Sequence, residues 1–290
     1  MHKKAAFKCL LMVLVLGLLS PSWGRAADLK KYFAVYGTYL NYGNSEIKED
    51  GYAFTAYGSL GDGLHHGLEA AVSQLHLNYE SGYSDLDQTD ITLAYTNTGS
   101  LHPNLSLRLG GHYISTDDDL TDDGWILFGD LTYFVPYRWN VGLETAYSNY
   151  DEVMDLDIFQ LSPHAGYFLK LGGQSLYLEA RGYYIHIDEE PAGVSMKNYY
   201  SFELAVSCTR GALSGKLSGW AGQQIFAVKK GGFVVYNLTE KYLGGVSGEV
   251  TYRIKNYLLG VTASWNTYKE VESSKVVNQT VVTAFIGFNF

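Results

Sequence analysis

Histidine beside serine or aspartate is the arrangement that many hydrolases use, and the chain contains eight histidines. His112 and His164 fall on the polar face of a predicted strand, whereas His65 and His66 fall in a turn and His186 near a strand end. None stands in a G-x-S-x-G or an H-E-x-x-H pattern, which would place a nucleophile or a zinc ligand beside it. The sequence therefore predicts no enzyme, no catalytic residue, no metal site and no cofactor.

Charged side chains recur at alternate positions between small or hydroxylated neighbours, which places them on one face of a strand. On a face that meets lipid, each Arg or Lys at mid-bilayer would cost about 2–4 kcal/mol. We expect these side chains to line an interior, either as a polar channel lining or as a ladder of ion pairs that closes it. The set has seven acids and four bases: Glu69, Asp90, Arg108, Asp130, Glu144, Glu179, Arg181, Glu203, Lys216, Glu249 and Arg253.

The segments that must position these residues alternate apolar and polar side chains over roughly ten residues, between breaks rich in Gly, Asn, Asp and Pro. In segment 66–79 the phase slips after Val72, which predicts a β-bulge. The pattern predicts an all-β fold, a single closed antiparallel up-and-down transmembrane β-barrel of about fourteen strands, with twelve as the alternative. The segments are 31–42, 51–60, 66–79, 88–98, 104–116, 124–135, 138–150, 156–169, 175–187, 198–210, 213–228, 242–254, 257–268 and 279–290.

Two further patterns favour a membrane barrel over a soluble β-sandwich, which also alternates. The links between segments are short and long in turn, as in outer-membrane barrels with both termini in the periplasm. Aromatic residues also recur eight positions apart on apolar faces, which corresponds to roughly 26 Å along a strand and spans the height of a thin bilayer's apolar band. These pairs are Trp125 and Tyr133, Trp139 and Tyr147, Phe159 and Tyr167, and Tyr257 and Trp265.

The amino end has the pattern of a secretory signal peptide over residues 1–26, ahead of a barrel domain at 27–290. A basic start is followed by the apolar run 10–19 and by small residues that predict cleavage after Ala26. Cleavage would remove four cations and change the formal charge from −9 to −13, which argues against a nucleic-acid partner. Cys208 would be the one remaining cysteine, so no intrachain disulfide is expected.

The carboxyl end carries the sequence Phe288-Asn289-Phe290 after an alternating apolar run. It resembles the aromatic–x–aromatic terminal signal of Gram-negative outer-membrane β-barrel proteins, although Phe285 stands where that family usually has glycine. The resemblance covers residues 27–290 as a pattern and is to the small monomeric porin-like class. It implies a bacterial outer-membrane location, contact with membrane lipid and lipopolysaccharide, recognition of Phe288 and Phe290 by the barrel-assembly machinery, and a monomeric state.

The longest link, residues 228–241, differs from the other long links, which are mostly acidic and polar. Its continuous apolar patch 233–236 would be unfavourable at a hydrated loop tip. We expect this link either to fold inward as a constriction loop, held by Lys229 and Lys230 and by burial of Phe233 and Tyr236, or to extend as a hairpin. The expected function is a passive, weakly cation-preferring channel for small polar or cationic solutes. The first alternative is a structural or surface-interaction barrel with a closed interior, and the second is an outer-membrane lipid-modifying or proteolytic enzyme.

Overall fold

The computed structural model describes residues 29–271 and 273–290, so the predicted signal peptide lies outside the described residues. Within those ranges, no helix is long and apolar enough to cross a bilayer. The strands are β1 (Lys30–Gly43), β2 (Lys48–Gly61), β3 (His66–Tyr79), β4 (Leu86–Thr98), β5 (Leu105–Thr116), β6 (Trp125–Val135), β7 (Trp139–Tyr150), β8 (Leu156–Leu171), β9 (Gln174–Ile187), β10 (Asn198–Arg210), β11 (Leu213–Gln224), β12 (Val228–Lys229), β13 (Val234–Val235), β14 (Glu240–Ile254), β15 (Tyr257–Glu270) and β16 (Val276–Asn289).

Fourteen of these strands form one closed antiparallel barrel, which confirms the predicted fold class and strand number. Each strand pairs with its neighbour in the chain, except that β11 pairs with β14, and β1 closes the barrel against β16. The described ends of the chain and the short turns lie together at one end of the barrel, called here the turn end. The longer connections lie at the opposite end, called the loop end.

The outer surface carries the apolar half of each alternating segment. Valine, leucine and aromatic side chains on alternate positions of the barrel strands are exposed, as expected for strands that turn apolar side chains outward. Aromatic pairs mark both ends of the β6–β7 hairpin: Trp125 lies 5.5 Å from Tyr147 at the loop end, and Tyr133 lies 5.8 Å from Trp139 at the turn end, between ring centroids. On this hairpin the eight-residue aromatic spacing therefore places one aromatic contact at each end of the outer surface.

The prediction of a bulge after Val72 in β3 is wrong. β3 pairs with β2 through Gly67–Tyr79 and with β4 through His66–Leu77, and neither pairing shifts register near Val72. The one shift, between Lys48 and Asp50 of β2, lies at the other end of β3, opposite Asn78 and Tyr79. The apparent slip arises because Leu75 and Leu77 are apolar but face the interior, where they pack in an apolar cluster. The alternation of polar and apolar residues is thus interrupted, whereas the side chains still point inward and outward in turn.

The eleventh predicted segment, 213–228, also ends earlier than expected. β11 ends at Gln224, and its pairing with β14 shifts between Ala221 and Gln224. Gly222 has a φ of 118°, which favours glycine, and a Cβ there would meet the backbone of Tyr200 and Ser201. The chain leaves the barrel wall at this point, and the next fifteen residues, 225–239, turn into the lumen.

The pairing of β8 with β9 has one interruption. It runs to Leu161↔Tyr184, omits Ser162 and Pro163, and resumes in the same register at His164↔Arg181. Proline has no backbone N–H to donate to a ladder, so a hydrogen bond is absent at this point. The exposed Pro163 side chain faces outward beside Gly182 on β9.

Candidate functional site

Residues 225–239 fill much of the lumen and are called here the plug. Its first part, the root (Ile225–Val228), is 0–1% exposed. The root packs against inward-facing side chains near the loop-end limits of β5, β6, β8 and β9, including Ile114, Ile126, Ile158 and Ile185. The loop-end half of the barrel therefore contains a dry apolar core, which the sequence pattern of a polar lumen does not predict.

One glutamine holds the end of the root through two backbone hydrogen bonds. The Gln160 side chain on β8 donates from Nε2 to the carbonyl oxygen of Val228 over 2.7 Å, and its Oε1 accepts from the Val228 N–H over 2.9 Å. Both residues are about 1% exposed, so water does not compete for these groups. Gln160 thus fixes the point at which the root passes into the rest of the plug.

The second part of the plug, the tip (Lys229–Tyr236), is held mainly by charge and aromatic contacts. Lys229 Nζ lies 3.7 Å from a carboxylate oxygen of Glu203 and 4.6 Å from the ring centroid of Trp220. It also lies over the rings of Tyr183 and Tyr236. Burial of the ammonium lowers the pKa of Lys229 to about 8, and the Glu203 carboxylate partly offsets this effect.

The deepest part of the tip contacts an arginine near the turn end. Arg108 on β5 pairs with Glu69 on β3, and its Nη2 lies 3.4 Å from the carbonyl oxygen of Gly231. The Phe233 ring centroid lies 5.4 Å from the Arg108 guanidinium carbon and 5.6 Å from the Tyr57 ring. The tip therefore reaches well past the middle of the barrel.

The plug returns to the wall through polar contacts at the loop end. Asn237 Nδ2 donates to Oε1 of Gln88 over 2.8 Å and to Oγ1 of Thr121 over 3.0 Å. Beside it, the Tyr236 ring stacks on Tyr242 at 4.5 Å between centroids. The structure thus places the constriction-loop residues of the sequence analysis inside the lumen, although Lys230 makes no ion pair among the described residues.

The acidic and basic residues of the lumen wall are largely engaged with one another. Arg181 donates to Glu144 and Glu179 at 3.2 Å each and so joins β7 and β9. Glu203 accepts from the Tyr183 hydroxyl over 3.0 Å as well as contacting Lys229. Such interior pairs rigidify a barrel, and they are the ladder that the alternative interpretation expects.

The two inward histidines also contact carboxylates. His164 Nε2 lies 2.7 Å from Asp130, and His112 Nε2 lies 3.3 Å from Asp90. His112 Nδ1 is also bonded to Thr92 Oγ1 at 2.7 Å. In the part of the chain that the structure describes, no group of three metal-ligating side chains converges.

A cavity of about 620 Å³ lies on the side of the plug that faces β1, β11 and β14–β16. Hydroxyl groups of β1, β11 and β14–β16 form part of its wall, and they bond in cross-strand pairs such as Thr38 with Thr283 at 2.9 Å and Ser218 with Ser247 at 2.8 Å. Lys216 and Glu249 also line it and lie opposite each other in the β11–β14 register. The remaining predicted lining residue, Arg253, is exposed on β14 near the turn end.

A group of tyrosines closes the cavity at the loop end. Tyr42, Tyr242 and Tyr268 are buried there and contact one another through their rings. Next to them, Lys48 pairs with Glu240, and the two side chains are only 7% and 8% exposed. The Lys48 ammonium also lies 5.7–5.9 Å from the ring centroids of Tyr42, Tyr79 and Tyr268.

Sequence reasoning misses Gln160 and the pair of Lys48 and Glu240. Gln160 and Glu240 fall on the inward face of their strands, so alternation could have found them as interior residues. Their partners could not be found in this way, because Val228 and Lys48 lie 68 and 192 positions from them in the chain.

At the carboxyl end, Phe288 and Phe290 lie at the turn end on β16 and just beyond it. Their rings stack at 5.7 Å, and Phe288 also contacts Tyr257 at 5.1 Å. Phe285, which replaces the usual glycine, faces inward with its ring 4.9 Å from that of Tyr36. Gly260 on the neighbouring strand leaves room for the Phe285 ring.

No protein-family model matches the chain, and no curated protein matches it in sequence. Among solved structures, a bacterial polysaccharide outer membrane secretin has a TM-score of 0.56 at 8% identity, covering 92% of this chain and 100% of that chain. The toluene transporter TbuX of Ralstonia pickettii has a TM-score of 0.54 at 11% identity, covering 89% and 88%. A mutant of the monoaromatic hydrocarbon channel TodX has a TM-score of 0.52 at 10% identity, covering 91% of each chain. By its closed fourteen-stranded sheet and these likenesses, the chain has the fold of an outer-membrane β-barrel protein.

Proposed function

We propose that the chain is an exported bacterial outer-membrane channel whose lumen is closed by a displaceable plug formed by residues 225–239. The apolar outer surface and the aromatic contacts at both ends of the β6–β7 hairpin fit a barrel that lies in a membrane. The solved structures with similar folds include proteins named as a transporter and a channel, which supports transport rather than catalysis.

The observation that carries the proposal is the uneven contact of the plug with the lumen wall. On one side the plug is bonded to β4, β5, β8 and β10, whereas on the other side it borders the 620 Å³ cavity. Displacing the tip through the cavity and out toward the loop end would break one ion pair and a few hydrogen bonds without breaking a barrel strand. The tip is therefore the part of the plug that moves in this proposal, together with Val228 at the end of the root, while Ile225–Ala227 remain packed.

The wall charges give the open state a weak preference for cations. Seven acids and four bases were assigned to the lumen wall, and the plug adds the cations Lys229 and Lys230 when it is in place. Withdrawal of the tip removes these two cations from the lumen, so the remaining field is more negative and attracts small cationic or polar solutes.

Single-channel recording in planar bilayers tests the proposal. Deleting Gly231 to Tyr236 should raise the conductance of folded protein relative to the full chain. A deletion of the exposed residues Ser81 to Ser84, in another connection at the loop end, serves as the control and should leave the conductance unchanged.

The second candidate is a barrel with a permanently closed interior, and the burial of the root favours it. Side chains that are 0–1% exposed and packed against four strands resist removal. If the tip deletion folds, as judged by its resistance to denaturation at room temperature, and conducts no more than the full chain, the channel is refuted and the closed barrel is supported.

A further inference from the structure

The cavity beside the plug has an apolar sector and a polar sector. Leu40, Leu75 and Leu77 line it from β1 and β3, and Val235 and Leu238 line it from the plug. The hydroxyl groups of β11 and β14–β16 line it from the barrel wall. A pocket with one apolar and one polar side fits a ligand that is itself amphiphilic.

Most of the charged side chains around the cavity form ion pairs within the protein. Arg181 pairs with Glu179, Lys229 with Glu203, and Lys48 with Glu240. Lys216 faces Glu249 across the β11–β14 register. Among the described residues that line the cavity, Lys230 is the charged side chain left without a carboxylate opposite it, and it is exposed to the cavity.

The position of Lys230 shows which end of the cavity carries the unpaired charge and which end is apolar. It precedes Gly231, whose carbonyl oxygen contacts Arg108, the fourth residue of β5 from the turn end. Leu40 and Leu77 lie three and two residues from the loop-end limits of β1 and β3, respectively. The unpaired ammonium therefore lies toward the turn end, and the apolar sector lies toward the loop end.

We propose that this cavity binds a small amphiphilic monoanion, with its carboxylate at Lys230 and its apolar body between Leu40, Leu75 and Val235. An ammonium without a protein counter-ion gains a charge-assisted hydrogen bond from such a ligand. This binding site is an addition to the proposed channel function. It depends only on the plugged conformation, in which Lys230 and Val235 border the cavity.

Trp220 provides a local reporter for the test. It lines the cavity, whereas Trp125, Trp139 and Trp265 lie on the outer face of the barrel and do not line it. The purified barrel in a neutral maltoside detergent is titrated with 4-phenylbutyrate, and tryptophan fluorescence is followed. We expect a saturable change that disappears in Trp220→Phe, and at least about tenfold weaker binding of 4-phenylbutylammonium.

Variants of the anchoring lysine test its role. Lys230→Gln should weaken 4-phenylbutyrate binding about tenfold, whereas Lys230→Arg should retain it. Lys255→Gln, in the exposed turn between β14 and β15, is the matched control and should bind as the unmodified protein does.

Several results would overturn the proposal: no saturable change, a change that persists in Trp220→Phe, equal affinity for the ammonium analogue, or unaltered binding by Lys230→Gln. Failure of the channel is distinguishable, because binding is measured without conductance. A protein that binds the anion but does not conduct refutes the channel alone, and a conducting protein that does not bind refutes this site alone.

Discussion

Replacing Gln160 with leucine should release the plug. Gln160 satisfies both the N–H and the carbonyl group of Val228, and leucine has nearly the same volume but no polar atom. The substitution therefore leaves two buried backbone groups without partners while the apolar packing around them is preserved.

The magnitude follows from the burial of these two groups. A buried donor or acceptor that loses its partner costs about 1–3 kcal/mol, so the two groups together cost about 2–6 kcal/mol in the plugged state. A withdrawn segment can hydrate both groups and does not bear this cost. Because about 1.4 kcal/mol corresponds to a factor of ten, the population of the displaced plug should rise at least about thirtyfold.

The open fraction in single-channel records at fixed voltage measures this shift. Gln160→Glu would bury an ionised carboxylate against the Val228 carbonyl oxygen, so its open fraction should rise at least as far as that of Gln160→Leu. Gln74→Leu exchanges an exposed glutamine on the outer face of β3 and controls for the chemistry of the substitution. A folded Gln160→Leu protein with an unchanged open fraction would refute the proposed role of the clamp.

Three further perturbations have defined outcomes. Because burial lowers the pKa of Lys229 to about 8 in the plugged state and a hydrated lysine titrates near 10.4, the displaced state holds the proton more tightly. Raising the pH from about 8 to 10 should therefore favour the plugged state and lower the open fraction, by up to about tenfold per pH unit, and Lys229→Leu should lose this dependence. Since the plug is attached at the loop end and carries Lys229 and Lys230, a voltage that is positive on the turn-end side should favour opening. If two charges cross half of the field, 100 mV supplies about 2 kcal/mol, and the preferred polarity should vanish when both lysines are replaced by glutamine. Lys48→Met strands the Glu240 carboxylate in a buried site and should destabilise the barrel by about 3–5 kcal/mol in urea unfolding; the double variant Lys48→Met/Glu240→Gln should recover most of the loss, and no recovery would contradict the pairing.

The barrel itself could be predicted from the sequence because alternation is a local property. Each strand of about ten residues shows its own two faces, and turn residues separate it from the next strand, so the count of fourteen needs no long-range information. The same locality explains the error in β3. Leu75 and Leu77 break the polarity pattern, and only the packed interior shows that they face inward.

The interior of the barrel could be predicted only in part. The unusual composition of 228–241 identifies the segment that enters the lumen, and Lys229 and Tyr236 are both placed there. The eleventh predicted segment runs to Val228, so the sequence predicts the root as the end of a strand. Whether such a run stays in the wall or packs inside depends on Gly222 and on four isoleucines from distant strands, which a local pattern does not contain.

The interrupted pairing at Pro163 links the plug to the stiffness of the barrel wall. A closed hydrogen-bonded ladder is stiff around its whole circumference, but here one seam between β8 and β9 lacks pairing over two residues. Gln160, which clamps the plug, lies on β8 three residues before Pro163, and Ile185 on β9 packs against the root. The inserted segment contacts both strands just on the loop-end side of the gap, where it acts as an internal brace. Any motion that opens the lumen also removes this brace, so the open barrel should be more compliant at this seam than the closed barrel. On opening, amide exchange should therefore accelerate more in β8 and β9 than in β15 and β16.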